Sequence, residues 1–245
     1  MTRHAISRGR ARGPAHRLRA VVTDVDGTLT DARRRLDPAA LEVIHRLTER
    51  EIPVLLATGN VLPVALGLHR SLGLSTPIVA ENGGILYWPG EERIERMADP
   101  TVARRALAVL RRARVPVRRL FTDRWRESEV ALDTSVPIER VRAALAGVRV
   151  RVEGTGYAIH LMELGAGKLP ALRRALRPFR LAPEECLVLG DGDNDMGMLA
   201  AAGWSVSFPN GSPGARAAAD YVTRANYARG FVEGIRSGRL LTSRR

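Results

Sequence analysis

The run Leu18-Arg19-Ala20-Val21-Val22-Thr23-Asp24-Val25-Asp26-Gly27-Thr28-Leu29-Thr30 joins an apolar segment to an acidic turn. Ala20 to Val22 is apolar and β-branched, as in a buried strand, and it stops at Asp24-Val25-Asp26-Gly27. Alternate residues of an extended chain face the same side, so Asp24 and Asp26 can point together while Val25 turns into the core. In an open α/β sheet ligands bind beyond the carboxyl ends of the strands, where this pair falls. Two acids held there invite a divalent cation. The competing reading is a turn closed by Gly27, since Asp-Gly is common turn chemistry.

Downstream, Pro38 to Arg50 has helical spacing at Leu41, Ile44 and Leu47, and Asp37-Pro38 supplies an N-cap. Ile52 to Ala57 reads as a second buried strand ending in Thr58-Gly59-Asn60. A helix over Val61 to Leu72 and a strand over Pro77 to Ala80, ended by Glu81-Asn82-Gly83-Gly84, follow. Strands alternating with helices predict a doubly wound, Rossmann-like parallel sheet.

The pattern then changes. A hairpin of Ile85 to Trp88 and Arg93 to Met97 precedes a helix over Thr101 to Arg114. Strands are expected near Val117 to Thr122 and Ser128 to Asp133, a helix over Ile138 to Ala146, and strands near Val148 to Val152 and Tyr157 to Met162. Short strands grouped between helices predict an α+β unit at 85–161, inserted into a core of 18–84 and 162–245. The α/β rhythm resumes with a helix from Lys168 and a strand Cys186 to Leu189 that runs into Gly190-Asp191-Gly192-Asp193-Asn194-Asp195.

The chain has 245 residues, 45% of them hydrophobic, enough to fill a core. No apolar run approaches the roughly 18 to 20 residues of a membrane span, and the N-terminus lacks a secretory signal's apolar segment. A cytoplasmic protein is expected. Cys186 is the sole cysteine, which excludes an intramolecular disulfide or a thiolate metal cluster. The net charge of +13 is concentrated partly in residues 1–17, read as a flexible basic tail. Among 39 basic residues only Lys168 is a lysine, so a compact, rotatable charge is expected to matter there.

Three expected strand ends thus carry polar groups: Asp24 with Asp26, Thr58 with Asn60, and Asp191, Asn194 and Asp195. Asp191 to Asp195 is not a calcium loop of the helix–loop–helix type, because Met196 stands where a glycine and Ala202 where a bidentate glutamate is needed. Gly165-Ala166-Gly167-Lys168 lacks the spacing and the Ser/Thr of a nucleotide P-loop. Asp24, Asp26, Asp191 and Asp195 around one site suit Mg2+, a hard cation that leaves room for phosphate oxygens. An ammonium at Lys168 and a hydroxyl at Thr58 would meet the charge on a phosphoryl group in transfer.

Asp24-Val25-Asp26-Gly27-Thr28, Thr58-Gly59-Asn60, Lys168 and Gly190 to Asp195 resemble, in order, the four motifs of the haloacid dehalogenase superfamily of phosphatases. The α+β insertion resembles that superfamily's type IIB cap. More narrowly, Thr58 to Val64, Glu81 to Gly84, Thr122 to Glu127 and Gly156 to Met162 are similar to the archaeal phosphoglycolate phosphatases. Leu169 departs from the glycine or alanine of many relatives, and residues before Leu18 have no counterpart.

The resemblance implies hydrolysis of a small phosphorylated acid, 2-phosphoglycolate, through an aspartyl phosphate. Asp24 would be the nucleophile and Asp26 the acid and base. Thr58 and Lys168 would serve catalysis, with Gly59 and Asn60 joining them in binding substrate. Mg2+ would rest on Asp24, the Asp26 backbone, Asp191 and Asp195. Arg124, on the inserted unit, is the candidate for the substrate's carboxylate, since arginine binds carboxylates bidentately. A sugar-phosphate phosphatase is the alternative within the superfamily, and a homodimer is allowed for. The positive charge also raises a nucleic-acid binder, but an acidic cleft would repel phosphodiester backbones.

Overall fold

A computed structural model describes residues 17–240. All of the expected basic tail except Arg17 therefore lies outside the described residues.

The central strands of the large sheet form where apolar runs allow burial on both faces, whereas β5 at its edge is charged and largely exposed. The large sheet contains β1 (Ala20–Thr23), β2 (Val54–Ala57), β3 (Ile78–Ala80), β4 (Ile85–Trp88), β5 (Arg93–Arg96), β9 (Cys186–Leu189), β10 (Trp204–Ser207) and β11 (Tyr221–Val222). Its order is β11-β10-β9-β1-β2-β3-β4-β5, parallel from β11 to β3 and antiparallel at β4 and β5. A smaller antiparallel sheet, in the order β6-β8-β7, is formed by β6 (Val130–Leu132), β7 (Arg151–Gly154) and β8 (Ile159–Met162).

Period-two alternation decides which helices each strand meets. Val21, Val54, Leu56, Leu187 and Leu189 pack against α1 (Pro38–Thr48) and α8 (Tyr227–Ser237). Their neighbours Ala20, Val22, Leu55, Ala57 and Val188 meet α5 (Lys168–Leu176), α6 (Met196–Ala201) and α7 (Pro213–Ala218) on the other face. The α1 helix starts as its sequence requires: the Asp37 carboxylate accepts from the Ala39 amide, Pro38 occupies the first turn, and Ala40, Val43, Ile44 and Leu47 form the buried stripe. Truncating the fully buried Ile44 to alanine would cost about 2–5 kcal/mol. The remaining core helix is α2 (Leu62–Ser71). On the small sheet, α3 (Pro100–Arg112) and α4 (Ile138–Ala144) close a separate apolar cluster with Val130, Leu132, Ile159 and Leu161.

Two expectations need correction. The hairpin at 85–96 extends the large sheet, with Ile85 opposite Ala80 and Arg96 opposite Ile85, so it does not open the inserted unit. Its alternation identifies strands but carries no information about their neighbours. Val117 to Thr122 is not a strand either. A single bridge, Arg119 to Leu132, is followed by a 3₁₀ turn over Phe121–Trp125. The buried Asp123 carboxylate accepts from the Ala131 amide at 2.6 Å and pairs with Arg119, which draws the chain out of the extended path.

The chain leaves β1 toward β2 and β3 on one side and returns through β9 to β11 on the other. The switch in direction lies between β1 and β9, whose carboxyl ends are therefore the predicted ligand crevice.

Candidate active site

At that crevice Lys168, the first residue of α5, is fully buried, and its Nζ donates to Asp24 Oδ1 and Asp195 Oδ1, each at 2.6 Å. Asp195 Oδ2 accepts from the Asp191 and Gly192 amides at 3.1 and 2.9 Å, so this carboxylate both shapes the loop after β9 and holds the ammonium. The Asp191 carboxylate accepts from the Thr28 hydroxyl at 3.1 Å. Gly27 lets it in: φ is +85°, and a Cβ there would lie 2.2 Å from Asp191 Oδ2. Gly83, at φ +90°, likewise makes room for the chain entering α5, since its Cβ would lie 2.1 Å from the Gly167 carbonyl.

Three carboxylates face one ammonium, and the charge does not balance. Burial raises the Asp24 pKa well above the ordinary range; Lys168 opposes this, and Asp195 and Asp191 reinforce it. Asp191 is pushed up to about 7 by burial and then by the Asp195 charge. Burial works against the Lys168 charge, but the two carboxylates overcome it and raise its pKa. Ligand oxygens of Asp24, Asp191 and Asp195 lie within 4.8 Å of one another, so a divalent cation fits this donor set and its excess negative charge.

Asp26 lies on the same side as Asp24, as the alternation predicts. Its Oδ2 accepts from Asn60 Nδ2 at 2.5 Å and its Oδ1 pairs with Arg34 at 3.2 Å. The buried Thr58 hydroxyl oxygen accepts from the Asn60 amide at 3.0 Å. Asn60 is thereby engaged with Asp26 and Thr58.

A cavity of about 600 Å³ opens over these groups, lined by Asp24, Asp26, Gly59 and Asp191 from the large sheet's crevice and by Gly154 to Tyr157 from the β7–β8 turn. Arg124 does not line it. That side chain is exposed and stacks over the Phe121 and Trp125 rings, 4.2 and 5.6 Å from their centroids. In this arrangement aromatic stacking on the 3₁₀ turn holds the guanidinium away from the cavity.

Sequence reasoning missed three contributors: Arg34, one of three adjacent arginines; Asn82, whose side-chain oxygen accepts from Asn194 at 2.9 Å; and Asn210, which donates to the Gly27 carbonyl at 2.9 Å. Only Asn82 carried a signal, as part of Glu81-Asn82-Gly83-Gly84 at a strand end.

The profile of haloacid dehalogenase-like hydrolases matches residues 21–125 and 131–235. The chain belongs to this family. It is 37% identical over 219 residues to a phosphoglycolate phosphatase of Methanothermobacter thermautotrophicus, covering 89% of this chain and 98% of that one. A protein of the same name from Methanospirillum hungatei is 36% identical over 222 residues, with 89% and 96% covered. Among solved structures, Thermoplasma acidophilum 0175 superposes with a TM-score of 0.84 at 29% identity, over 92% of this chain and all of that one. The subclass IIB sugar phosphatase BT4131 superposes at 0.74 and 18% identity, over 91% of this chain and all of that one, which speaks for the fold alone. The protein is thus a phosphatase of the haloacid dehalogenase family, and the small sheet with α3 and α4 corresponds to the cap. Among the described residues no helix is long and apolar enough to cross a membrane.

Proposed function

We propose that the protein hydrolyses 2-phosphoglycolate to glycolate and phosphate, with magnesium, through an aspartyl phosphate. The observation that carries this reading is the Lys168 ammonium bound to one oxygen of Asp24, which leaves the second oxygen for the phosphorus. The relatives named phosphoglycolate phosphatase support the choice of substrate.

Asp24 Oδ2 attacks the phosphorus as the bond from phosphorus to the leaving oxygen breaks, and Asp26 gives that oxygen its proton. Asp26 then takes a proton from the water that attacks the aspartyl phosphate, which frees phosphate and restores Asp24. Lys168 holds the Asp24 carboxylate in one orientation and offsets charge on the transferring group. Thr58, whose oxygen is already occupied by the Asn60 amide, keeps its O–H for a phosphate oxygen. The Gly59 backbone is available to the same group. Asn60 acts through Asp26 by fixing its carboxylate.

Asp24 and Asp191 would hold the magnesium with the Asp26 backbone carbonyl, while Asp195, with both oxygens hydrogen-bonded, supports the loop. Bound there, the ion supplies positive charge against the phosphoryl oxygens. A cytoplasmic setting suits this substrate, and the buried Cys186 thiol needs no oxidising compartment.

The test is phosphate release from 2-phosphoglycolate with and without magnesium, beside a panel of sugar phosphates. The reading requires metal dependence and the highest kcat/KM for 2-phosphoglycolate. A sugar phosphate turned over more efficiently would replace the substrate.

A further inference from the structure

We propose that Arg34, in the loop between β1 and α1, is the residue that binds the substrate's carboxylate and so sets selectivity for phosphorylated acids. The inference rests on the substrate class proposed above.

Among the described residues lining the cavity, Arg34 alone bears a positive charge, beside Asp24, Asp26, Asp191 and Asp193. Its guanidinium pairs with Asp26 Oδ1 at 3.2 Å and lies 4.1 Å from the centroid of the Tyr157 ring, so it is held between the core acid and the cap. Stacking on an aromatic face leaves the edge of the guanidinium fork open to a planar anion.

The chemistry of the substrate fixes where its second anion must fall. Asp26 protonates the leaving oxygen, and in 2-phosphoglycolate the carboxylate carbon is two bonds from that oxygen. A cation beside Asp26 is therefore within reach of the carboxylate in the same pose. Arg126, the other arginine near the cap junction, is buried against Glu129 and does not line the cavity.

The loop is built to aim this one side chain. Asp31 Oδ1 accepts from the Arg33 and Arg35 amides at 2.8 and 3.0 Å, and Asp31 Oδ2 accepts from the Arg35 guanidinium at 2.7 and 2.9 Å. Arg35 is thus used up in closing the turn. Arg34 sits at its apex with φ +62°, a left-handed backbone that non-glycine residues adopt at a cost. Such a conformation is maintained where the surroundings impose it, and here it directs the side chain into the cavity.

The test compares 2-phosphoglycolate with 2-hydroxyethyl phosphate, in which a hydroxymethyl group replaces the carboxylate, using the full chain with magnesium. The quantity read is the ratio of the two kcat/KM values, in which any loss shared through Asp26 cancels. Arg34→Met should lower this ratio about 10- to 100-fold, the effect of losing a charged hydrogen bond. Arg34→Lys, which keeps the charge without the fork, should fall between. A ratio within about twofold of wild type in Arg34→Met overturns the inference, whatever the absolute rates. If the wild-type enzyme itself shows no preference for the acid, the substrate reading fails first and the role of Arg34 falls with it.

Discussion

Two clusters of buried charge lie on either side of the Glu81 to Gly84 turn, and they balance differently. In the core, Lys168 faces Asp24, Asp191 and Asp195, and the carboxyl pKa values of Asp24 and Asp191 are driven up. At the cap, the Glu129 carboxylate accepts from Arg126 and from Asn82 at 3.1 Å, and lies 3.0 Å from His160 Nδ1. Burial alone would raise Glu129, yet His160 and Arg126 outweigh it and the pKa is lowered. In the cap cluster the Glu129 charge is met by side chains already in place, although the buried Arg126 Nε has no hydrogen-bond partner among the described residues. The core cluster carries excess negative charge that a divalent cation would offset, as expected of a site for chemistry.

The harshest way to break the comparison is Asp24→Asn. It should reduce phosphate release by more than about 10⁴-fold, because the amide is no nucleophile, while circular dichroism shows an intact fold. A loss of only tenfold would exclude the covalent route. Glu129→Gln should destabilise the protein by about 3 kcal/mol in urea denaturation, since the buried Arg126 then has no countercharge. No loss of stability would mean that the cap cluster is not held together by charge.

Lys168→Arg should cost about 100- to 1000-fold in kcat, because a guanidinium fork does not fit where one ammonium meets two carboxylates at 2.6 Å. Near-normal turnover would show that any cation suffices. Added magnesium should raise the thermal midpoint of the wild type by linkage, about 2.7 kcal/mol at one hundred times its dissociation constant. Asp191→Asn should remove most of that gain, a readout independent of turnover.

The sharpest contrast is in pH, because the two clusters should respond with opposite sign. Asp191 has a folded value of about 7 against about 3.9 unfolded, so the metal-free native state binds the extra proton. Its contribution to stability therefore falls as pH rises from about 4 to about 7, with a slope of up to about 1.4 kcal/mol per unit. Glu129 has a lowered folded value, so it contributes stability above its unfolded value that is lost as pH falls through the folded one. Urea melts of Asp191→Asn across this range should flatten the first slope and leave the second.

Much of the core was legible because burial on both faces leaves an apolar run, and the residue that ends it is polar only where a site needs it. Asp24, Thr58 and Asp191 each end such a run, and Lys168 stood out in a chain whose other basic residues are arginine. Arg34 could not be read, because Arg33, Arg34 and Arg35 are chemically alike and only the turn closed by Asp31 tells them apart. The position of Arg124 outside the cavity was hidden for the same reason: stacking on Phe121 and Trp125 is a tertiary choice. The hairpin at 85–96 shows the limit for strands, whose pattern fixes a buried face but no partner.

The position of β1 between β2 and β9 also sets a timetable for synthesis. The strand is made shortly before β2 and can pair with it early, but its other edge waits for Cys186 to Leu189. The cap residues emerge in that interval and form a cluster that needs no contact with β1. A nascent chain halted there would present an unpaired, apolar strand edge, a known route to aggregation. Asp24 and Lys168 are 144 residues apart, so the nucleophile exists early and its ammonium late. Non-local closure of this kind slows folding, and the newly made chain stays inert until the loop at Asp195 arrives.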